Sequence, residues 1–341
     1  MRLLFWGTPA YAVPSLRALL EAGHEVVGVV SQPDRKRGRG GALSPSPVKR
    51  EALAFDLPVF TPERLRREPD LHDQLAALQP ELSVVVAYGQ ILPKAILDLP
   101  PLGSWNGHGS LLPRWRGAAP IQWALLEGDV RTGVAIMAME EGLDTGPVLL
   151  EEELAIGRLE NAERLATRMA ALTAQLFVEA LPRIAAAGPG ALEERWVRLG
   201  VRPQGEDGLT LARLLTRADH VVHWSRPALE LHRQVMGLYP GAHTHWRGQR
   251  LKLLATEPLL PEMALDLTPQ AAALAEADWG GQRRKPGEIC ALPEGIGVVV
   301  MTGAGALLVR EAQLEGRRPS AGVALQQQLQ ASPGACLGEE A

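Results

Sequence analysis

Residues Leu82–Tyr88, LSVVVAY, form a nearly continuous apolar run that is rich in valine. A strand buried on both faces of a parallel sheet has this composition, whereas a half-exposed strand alternates apolar and polar residues. The runs Leu3–Trp6 and Glu25–Val30 also predict strands. Helices are predicted in between and after them, at Pro14–Ala22, Glu63–Leu78 and Ala118–Glu127. This alternation predicts an α/β fold with a doubly wound, mostly parallel sheet, in which ligands bind beyond the carboxyl ends of the strands.

The second half of the chain has a different pattern. A strand at Glu151–Ile156 and a long amphipathic helix at Asn161–Ala186 are followed by a stretch rich in glycine and proline, which indicates a linker. Short strands separated by turn residues then predict a small β-barrel; they are Val221–Trp224, His243–Trp246, Leu251–Ala255, Gly295–Met301 and Ala306–Glu311. We therefore expect a first domain at residues 1–187, a linker at 188–207, a barrel of OB-like type at 208–320 and a tail at 321–341. The acidic segment Glu257–Asp278 contains no Lys or Arg and is expected to be a surface loop with a short helix.

Composition excludes several classes of protein. The net charge of −4 argues against a protein that binds nucleic acid through its overall charge. Only two cysteines occur, Cys290 and Cys336, and the pair His243 and His245 lacks further ligands at metal-binding spacing, so we expect neither a disulfide nor a metal site. The first strand is followed by Gly-Thr-Pro, which is not the dinucleotide-binding fingerprint. Without a signal peptide or an apolar run of about 18 residues, a cytoplasmic protein without a membrane partner is expected.

A basic run interrupts this acidic background. It contains no acidic residue inside it, only Asp34 at its edge. Such runs are usually solvated surface, but they also mark sites that contact phosphates. Its members are Arg35, Lys36, Arg37, Arg39, Lys49 and Arg50.

The segment Ser104–Pro120, SWNGHGSLLPRWRGAAP, carries the candidate chemistry. Asn106 and His108 are two residues apart, and on a strand this spacing places both side chains on one face. An Asn amide can donate to a developing oxyanion, and a His can take up or release a proton near neutral pH. Asp144, in GLDTGP, supplies a carboxylate that can orient the histidine. These three residues suit acyl transfer without a metal.

The flanking sequence resembles the methionyl-tRNA formyltransferases, a family that depends on 10-formyltetrahydrofolate. The resemblance is close over about the first 155 residues and looser beyond them. Besides the segment around Asn106, it rests on motifs in the family's order: FWGTPAYAVPSL at Phe5–Leu16, SQPDRKRGRG at Ser31–Gly40, SPSPVK at Ser44–Lys49, VVVAYGQILP at Val84–Pro93 and TGVAIMAMEEGLDTGPVL at Thr132–Leu149.

The resemblance implies the reaction and the roles of residues. The formyl group of 10-formyltetrahydrofolate would pass to the α-amino group of methionyl initiator tRNA, with Asn106, His108 and Asp144 as catalytic residues. The basic loop around Arg39 would contact the tRNA, and the barrel would be a tRNA-binding domain. We expect a monomer. The resemblance further assigns the folate pocket to Ser110, Leu111, Leu112, Pro113, Val86, Tyr88, Gln90, Ile91 and Leu92.

Three other functions would use some of the same residues. A folate-dependent formyltransferase acting on a small amine would keep the catalytic residues but would not need the basic loop or the barrel. A hydrolase of 10-formyltetrahydrofolate would direct the same site at water. A non-catalytic protein that binds tRNA or folate would be expected to lack one of Asn106, His108 and Asp144, and none is missing.

Overall fold

A computed structural model describes residues 1–37, 41–279 and 284–338 of the chain. The chain divides into two compact units. The first consists of Met1–Pro120, Thr132–Leu154 and Ala166–Arg213, and the second of Ile121–Arg131, Ala155–Leu165 and Leu214–Ala341. The segment that was expected to be a linker therefore belongs to the first unit, and it contains a helix at Leu192–Leu199 whose Arg195 is buried.

The strands are numbered in chain order. They are β1 (Arg2–Gly7), β2 (Glu25–Val30), β3 (Arg35–Arg37), β4 (Ala42–Ser44), β5 (Val59–Phe60), β6 (Leu82–Val86), β7 (Ser104–His108), β8 (Arg116–Gly117), β9 (Arg131–Ala138), β10 (Val148–Ala155), β11 (Leu211–Ala212), β12 (His243–Trp246), β13 (Gln249–Leu259), β14 (Ile289–Ala291), β15 (Val298–Met301), β16 (Ala306–Leu314) and β17 (Ser320–Ala321).

The α-helices are numbered in the same way. They are α1 (Val13–Glu21), α2 (Pro47–Ala54), α3 (Pro69–Ala77), α4 (Lys94–Leu97), α5 (Pro120–Glu127), α6 (Ala162–Ala187), α7 (Leu192–Leu199), α8 (Ala228–Gly237), α9 (Pro269–Ala275) and α10 (Gly322–Leu329). Short 3-10 helices occur at Ala10–Ala12, Leu65–Arg67, Ala218–His220 and Pro261–Asp266.

The first unit is built on a seven-stranded sheet with the order β10-β9-β7-β6-β1-β2-β5. The pairs β1–β2, β1–β6, β2–β5 and β6–β7 are parallel, and β7–β9 is antiparallel. All five residues of β6 are buried, as its valines predicted. The expected doubly wound, mostly parallel sheet is therefore confirmed, and β7 lies near its middle.

In two predicted elements of the first unit, a single residue leaves the expected backbone conformation and ends or divides the element. The strand at Leu82 ends at Val86 because Ala87 has φ 48°, in the left-handed region. The single helix expected at Glu63–Leu78 is wrong. A 3-10 turn at Leu65–Arg67 is separated from α3, since Pro69 begins that helix and Glu68 before it has non-helical backbone angles.

The second unit contains an antiparallel sheet with the order β12-β13-β16-β15-β14, and β17 pairs with β16. The expected small barrel is confirmed in the form of an antiparallel half-barrel. One predicted strand is wrong: Val221–Trp224 contributes only a single bridge, from Val221 to His243. In β15, Val298 and Val300 join one apolar cluster with α8 and α10, whereas Val299 joins a second cluster. This end of the sheet is therefore buried on both faces.

The second cluster comes from the acidic segment that was expected to be a surface loop. Met263, Leu267, Ala271 and Ala275 from this segment pack with Leu259, Val299, Ala306 and Leu308 of the sheet. Glu257 is only 2% exposed. Its carboxylate accepts hydrogen bonds from the backbone N–H and the hydroxyl of Thr268 at 2.8 and 2.9 Å, and from Arg310 at 2.6 Å. The segment is thus part of the folded core.

Helix α6 is long and apolar enough, by length and composition, to cross a membrane. However, 56% of its most apolar window is buried inside the protein, and Leu165, Met169, Phe177 and Ile184 are fully buried. We therefore interpret α6 as a buried core helix.

Candidate active site

Strand β7 presents Asn106 and His108 on one face of the central sheet. Between them, a Cβ atom on Gly107 would lie 2.5 Å from Cγ2 of Thr173 and 2.8 Å from Cε2 of Phe177, both in α6. Because side chains alternate along a strand, Asn106 and His108 point to the face opposite α6. His108 is 5% exposed and Asn106 is half-buried.

Asp144, from the loop between β9 and β10, lies against both side chains. Nδ2 of Asn106 donates to Oδ1 of Asp144 at 3.4 Å, which is long for a hydrogen bond, and Nδ1 of His108 is 3.7 Å from Oδ2. Oδ2 also accepts the backbone N–H of Gly117 at 2.9 Å. The structure therefore brings together the three residues that the sequence predicted to be catalytic.

The hydrogen bond at Nε2 determines which atom of His108 can act as a base. Nε2 lies 2.9 Å from the carbonyl oxygen of Trp115. A carbonyl can only accept, so Nε2 must carry a proton. In the neutral imidazole, Nδ1 then has the free lone pair, and Nδ1 is the atom that faces Asp144. A proton taken up at Nδ1 would be stabilised by the carboxylate beside it.

Both loops that complete the site contain residues in the left-handed region. Asp144 has φ 52° and Trp115 has φ 61°. For residues with a Cβ atom this conformation costs roughly 1–2 kcal/mol, so surrounding contacts must stabilise it. At Trp115, the backbone N–H donates to the hydroxyl of Thr210 at 2.9 Å, and the Arg114 guanidinium lies 4.4 Å from the centroid of the Trp115 ring.

Residues 201–212 hold these loops, and sequence analysis missed them. β11 pairs in parallel with β8, the N–H of Arg116 donates to the carbonyl of Thr210 at 3.0 Å, and Gln204 contacts the loop of Asp144. These residues lie 60 to almost 100 positions away in the sequence from the loops that they contact. Sequence analysis places residues 201–207 in the linker and residues 208–212 at the start of the barrel domain, and no local signal relates them to the site.

The predicted folate residues are divided between the protein interior and the surface. Val86, Tyr88, Leu92 and Leu112 are at most 4% exposed, and burial raises the pKa of the Tyr88 hydroxyl. Ser110 is fully buried, and its hydroxyl donates to the Arg114 carbonyl at 2.6 Å.

The other predicted folate residues reach the surface to different degrees. Ile91 is 63% exposed, whereas the side-chain amide of Gln90 bonds the backbone at Pro62 and Leu65. Leu111 and Pro113 are half-buried. Their role in binding folate stays a prediction.

A cavity of about 450 Å³ borders the loop that carries Asp144. In the described part of the chain, none of the nine predicted folate residues is among its lining residues. Its wall combines apolar and charged groups from α4, β7, the end of β9 and α7, including Leu97, Trp105, Met139, Glu140, Glu141 and Arg195.

Of the predicted tRNA residues, Arg35 lies beyond the carboxyl ends of β1, β2 and β6, beside Thr8, Gln32 and Tyr88. Arg35, Lys36 and Arg50 are exposed. Lys49 is paired with Asp34 at 2.8 Å. Arg39 and the side chain of Arg37 lie outside the described residues. A cavity of about 280 Å³ at this place is lined by residues including Thr8, Gln32, Arg35, Ser44, Ser46 and Tyr88.

Comparison with known proteins identifies the class. A family model described as formyl transferase matches residues 1–181, and one described as formyl transferase, C-terminal domain, matches residues 214–329. Methionyl-tRNA formyltransferases from two Synechococcus strains are very similar to this chain. That of strain RCC307 is 62% identical over 96% of this chain and 100% of its own length, and that of strain WH7803 is 60% identical over 99% and 98%.

Solved structures agree with the fold. WlaRD, a sugar 3N-formyl transferase crystallised in the presence of dTDP and 5-N-formyl-THF, has a TM-score of 0.59 at 14% identity, covering 93% of this chain and 99% of WlaRD. HypX from Aquifex aeolicus, in complex with tetrahydrofolic acid, has a TM-score of 0.58 at 17% identity. That match covers 98% of this chain and 48% of HypX, about half its length.

The chain belongs to the formyl transferase family and, within it, to the methionyl-tRNA formyltransferases. The resemblance drawn from the sequence motifs is confirmed, and so are the expected fold class and the expectation of an enzyme.

Proposed function

We propose that this chain transfers the formyl group of 10-formyltetrahydrofolate to the α-amino group of methionyl initiator tRNA, using Asn106, His108 and Asp144. Formylation of initiator methionyl-tRNA is the activity of the family to which it belongs. What we infer is that 10-formyltetrahydrofolate is the donor and that Asn106, His108 and Asp144 act on its formyl group. The observation that carries it is the contact of the Asp144 carboxylate with both Asn106 and Nδ1 of His108.

These contacts suit each step of acyl transfer to an amine. The amine attacks the formyl carbon, the carbonyl oxygen becomes an oxyanion, and the amine loses a proton. The oxyanion then collapses, the bond between the formyl carbon and N10 of the folate breaks, and N10 takes up a proton as tetrahydrofolate leaves. Asn106 would donate Nδ2–H to the oxyanion; removing one such donor typically costs about 10²–10³-fold in rate. Nδ1 of His108 would take up the proton, directly or through water, with a benefit of about 10²–10⁴-fold. Asp144 would stabilise the resulting imidazolium.

The cavity beside the Asp144 loop supports a folate donor. Its volume of about 450 Å³ falls within the usual range for small-molecule sites, roughly 300–1,000 Å³. Leu97 and Met139 offer apolar surface to a planar ring, and the carboxylates of Glu140 and Glu141 can accept from ring N–H groups. We therefore propose this cavity as the pterin site. The nine residues that the resemblance assigns to the folate pocket are not among its lining residues; they lie in segments 86–92 and 110–113, at the ends of β6 and β7.

The basic hairpin β3–β4 supports an RNA substrate. Its exposed Arg35 lines the 280 Å³ cavity, which lies at the same carboxyl edge of the sheet as Asn106 and His108. Arginine and lysine side chains can neutralise phosphates there. In this scheme residues 208–320 form a second tRNA-binding region, and the enzyme is a cytoplasmic monomer.

Formylation of methionyl-tRNA by single-residue variants tests the catalytic assignment. His108→Ala and Asn106→Ala should each lower kcat by at least about 10²-fold while the protein remains folded. His72→Ala is the matched control, because Nε2 of His72 also bonds a backbone carbonyl, that of Leu65 at 3.0 Å, outside the site. Turnover of either active-site variant equal to that of the control would refute the assignment.

The salt dependence of tRNA binding tests the hairpin. Lys36→Ala should weaken tRNA binding and reduce the slope of log K against log salt by up to about 0.9, since each phosphate contact on duplex releases counterions. Arg183→Ala, an exposed change on α6, should leave the slope unchanged. An unchanged slope for Lys36→Ala would return this residue to ordinary solvated surface.

A further inference from the structure

The side-chain amide of Gln204 has all of its hydrogen-bonding groups engaged at the candidate active site. Nε2 donates one hydrogen to the carbonyl of Asp144 at 2.8 Å and the other to the carbonyl of Gly146 at 2.6 Å. Oε1 accepts from Nε of Arg116 at 2.8 Å. An amide group offers two N–H donors and a carbonyl acceptor, so each kind of group is used here.

The two carbonyls belong to the turn that aims the Asp144 carboxylate. Asp144 is in the left-handed region, with φ 52°. At Gly146 the turn packs so closely that a Cβ atom would overlap the carbonyl oxygen of Ala138. A strained turn of this kind persists only when several contacts determine it together. Gln204 supplies two of them.

Arg116 connects Gln204 to the other side of the site. The next residue, Gly117, donates its N–H to Oδ2 of Asp144 at 2.9 Å, and the preceding residue, Trp115, accepts from Nε2 of His108 at 2.9 Å. Gln204 therefore joins the loop that carries Asp144 to the segment that holds both the Asp144 carboxylate and the His108 ring.

We propose that Gln204 is a positioning residue for the formyl-transfer reaction, which sets the distance and angle between the Asp144 carboxylate and Nδ1 of His108. This inference rests on the catalytic role proposed for Asp144. Gln204 need not touch either substrate, because its bonds are to Arg116 and to the backbone of the Asp144 loop. Its loss should affect the chemical step more than binding.

The test is kinetic and spectroscopic. Gln204→Met keeps the length of the side chain but removes both donors and the acceptor. It should lower kcat for methionyl-tRNA roughly 10- to 100-fold, the loss expected when a catalytic group moves by about 1 Å, with KM for both substrates changed less than about 2-fold. The hydrogen-exchange protection of the Gly117 N–H should fall, because its acceptor is the Asp144 carboxylate. Gln204→Glu, which keeps the acceptor for Arg116, should show the same effects.

Gln326→Met is the matched control. Nε2 of Gln326 likewise bonds two backbone carbonyls, those of Pro293 and Gly297 at 2.9 and 2.7 Å, in the second unit. Gln326→Met should lose about as much thermal stability as Gln204→Met but keep its kcat and the hydrogen-exchange protection of the Gly117 N–H. This result would show that the effect of Gln204 on catalysis does not come from a general loss of stability. Unchanged kcat and Gly117 exchange in both Gln204 variants would overturn the inference.

A double-mutant cycle with Asp144→Ala separates this inference from the proposed function. If Gln204 acts through Asp144, Gln204→Met should lower single-turnover rates by less than about 2-fold in the Asp144→Ala background. The full loss in that background would contradict a role through Asp144. Full turnover of Asp144→Ala by itself would instead refute the catalytic role of Asp144. If Asp144→Ala has no measurable rate, the Gly117 exchange of Gln204→Met decides.

Discussion

Replacing Gly107 by alanine should destabilise the first unit and slow formyl transfer. The new Cβ would lie 2.5 Å from Cγ2 of Thr173 and 2.8 Å from Cε2 of Phe177. Both distances are below 3.0 Å, the shortest separation that Cβ atoms in proteins normally have from other heavy atoms. Both neighbours are fully buried. Thr173 is also held by hydrogen bonds of 2.8 Å, to the Tyr11 hydroxyl and to the Met169 carbonyl. Either α6 or β7 must therefore shift.

The expected cost follows from overpacking of a well-packed core. Such changes reduce the free energy of unfolding by about 1–3 kcal/mol, and each kcal/mol lowers the melting temperature of a domain of this size by about 2–4 °C. Because β7 carries Asn106 and His108, a shift of this strand would also reduce kcat. The assays are thermal unfolding followed by tryptophan fluorescence and formylation of methionyl-tRNA.

A second change identifies the clash. Thr173→Ser removes Cγ2 but keeps the hydroxyl, and by itself should cost about 0.5–1.5 kcal/mol, as for loss of one buried methyl group. Combined with Gly107→Ala, it should restore part of the lost stability and turnover. Gly205→Ala is the control. The atom nearest to its new Cβ lies 3.9 Å away, which is an ordinary van der Waals contact, so this substitution should not reduce stability. Equal stability of Gly107→Ala and Gly205→Ala would refute the reasoning.

Two further predictions concern the second unit. His232 bonds Thr256 and the carbonyl of Arg158 at 3.1 Å each, and burial lowers its pKa. As the pH falls, the unfolded chain therefore binds a proton at this histidine before the folded protein does. The part of the free energy of unfolding that depends on neutral His232 should be complete above about pH 6.5 and lost below it. Melting temperatures between pH 5 and 7.5 should show this loss, and His232→Gln should show less of it. Arg310→Met leaves the Glu257 carboxylate buried beside Thr268 without its cation. The free energy of unfolding in urea should fall by about 3–5 kcal/mol, and adding Glu257→Gln should restore part of it.

The parts of the fold with a local signal could be predicted from the sequence. The valines at Val84–Val86 identified the central strand, and alternation of helices and strands identified the class of sheet. The predicted single helix at Glu63–Leu78 is wrong because Pro69 disfavours helical backbone angles at Glu68. The reversal of β9 was not predictable, since a strand's direction depends on its partner β7 and not on its own residues.

The candidate site shows the same limit. Asn106 and His108 were recognisable because they are two residues apart, and Asp144 because its motif resembled a family. Thr210 and Gln204 act through contacts with backbone groups 58 to 95 residues away. Any polar residue could make such contacts, so the sequence contains no pattern that singles them out.

The acidic segment of the second unit has a consequence for anyone who edits this chain. Its residues look dispensable in the sequence because they follow no motif and carry only negative charge. Met263 and Leu267, however, pack against Val299 and Leu308. Deletion of residues 261–278 would therefore expose an apolar face of the sheet to water and promote aggregation. A shortened variant would therefore need polar substitutions on β15 and β16, designed together with the cut.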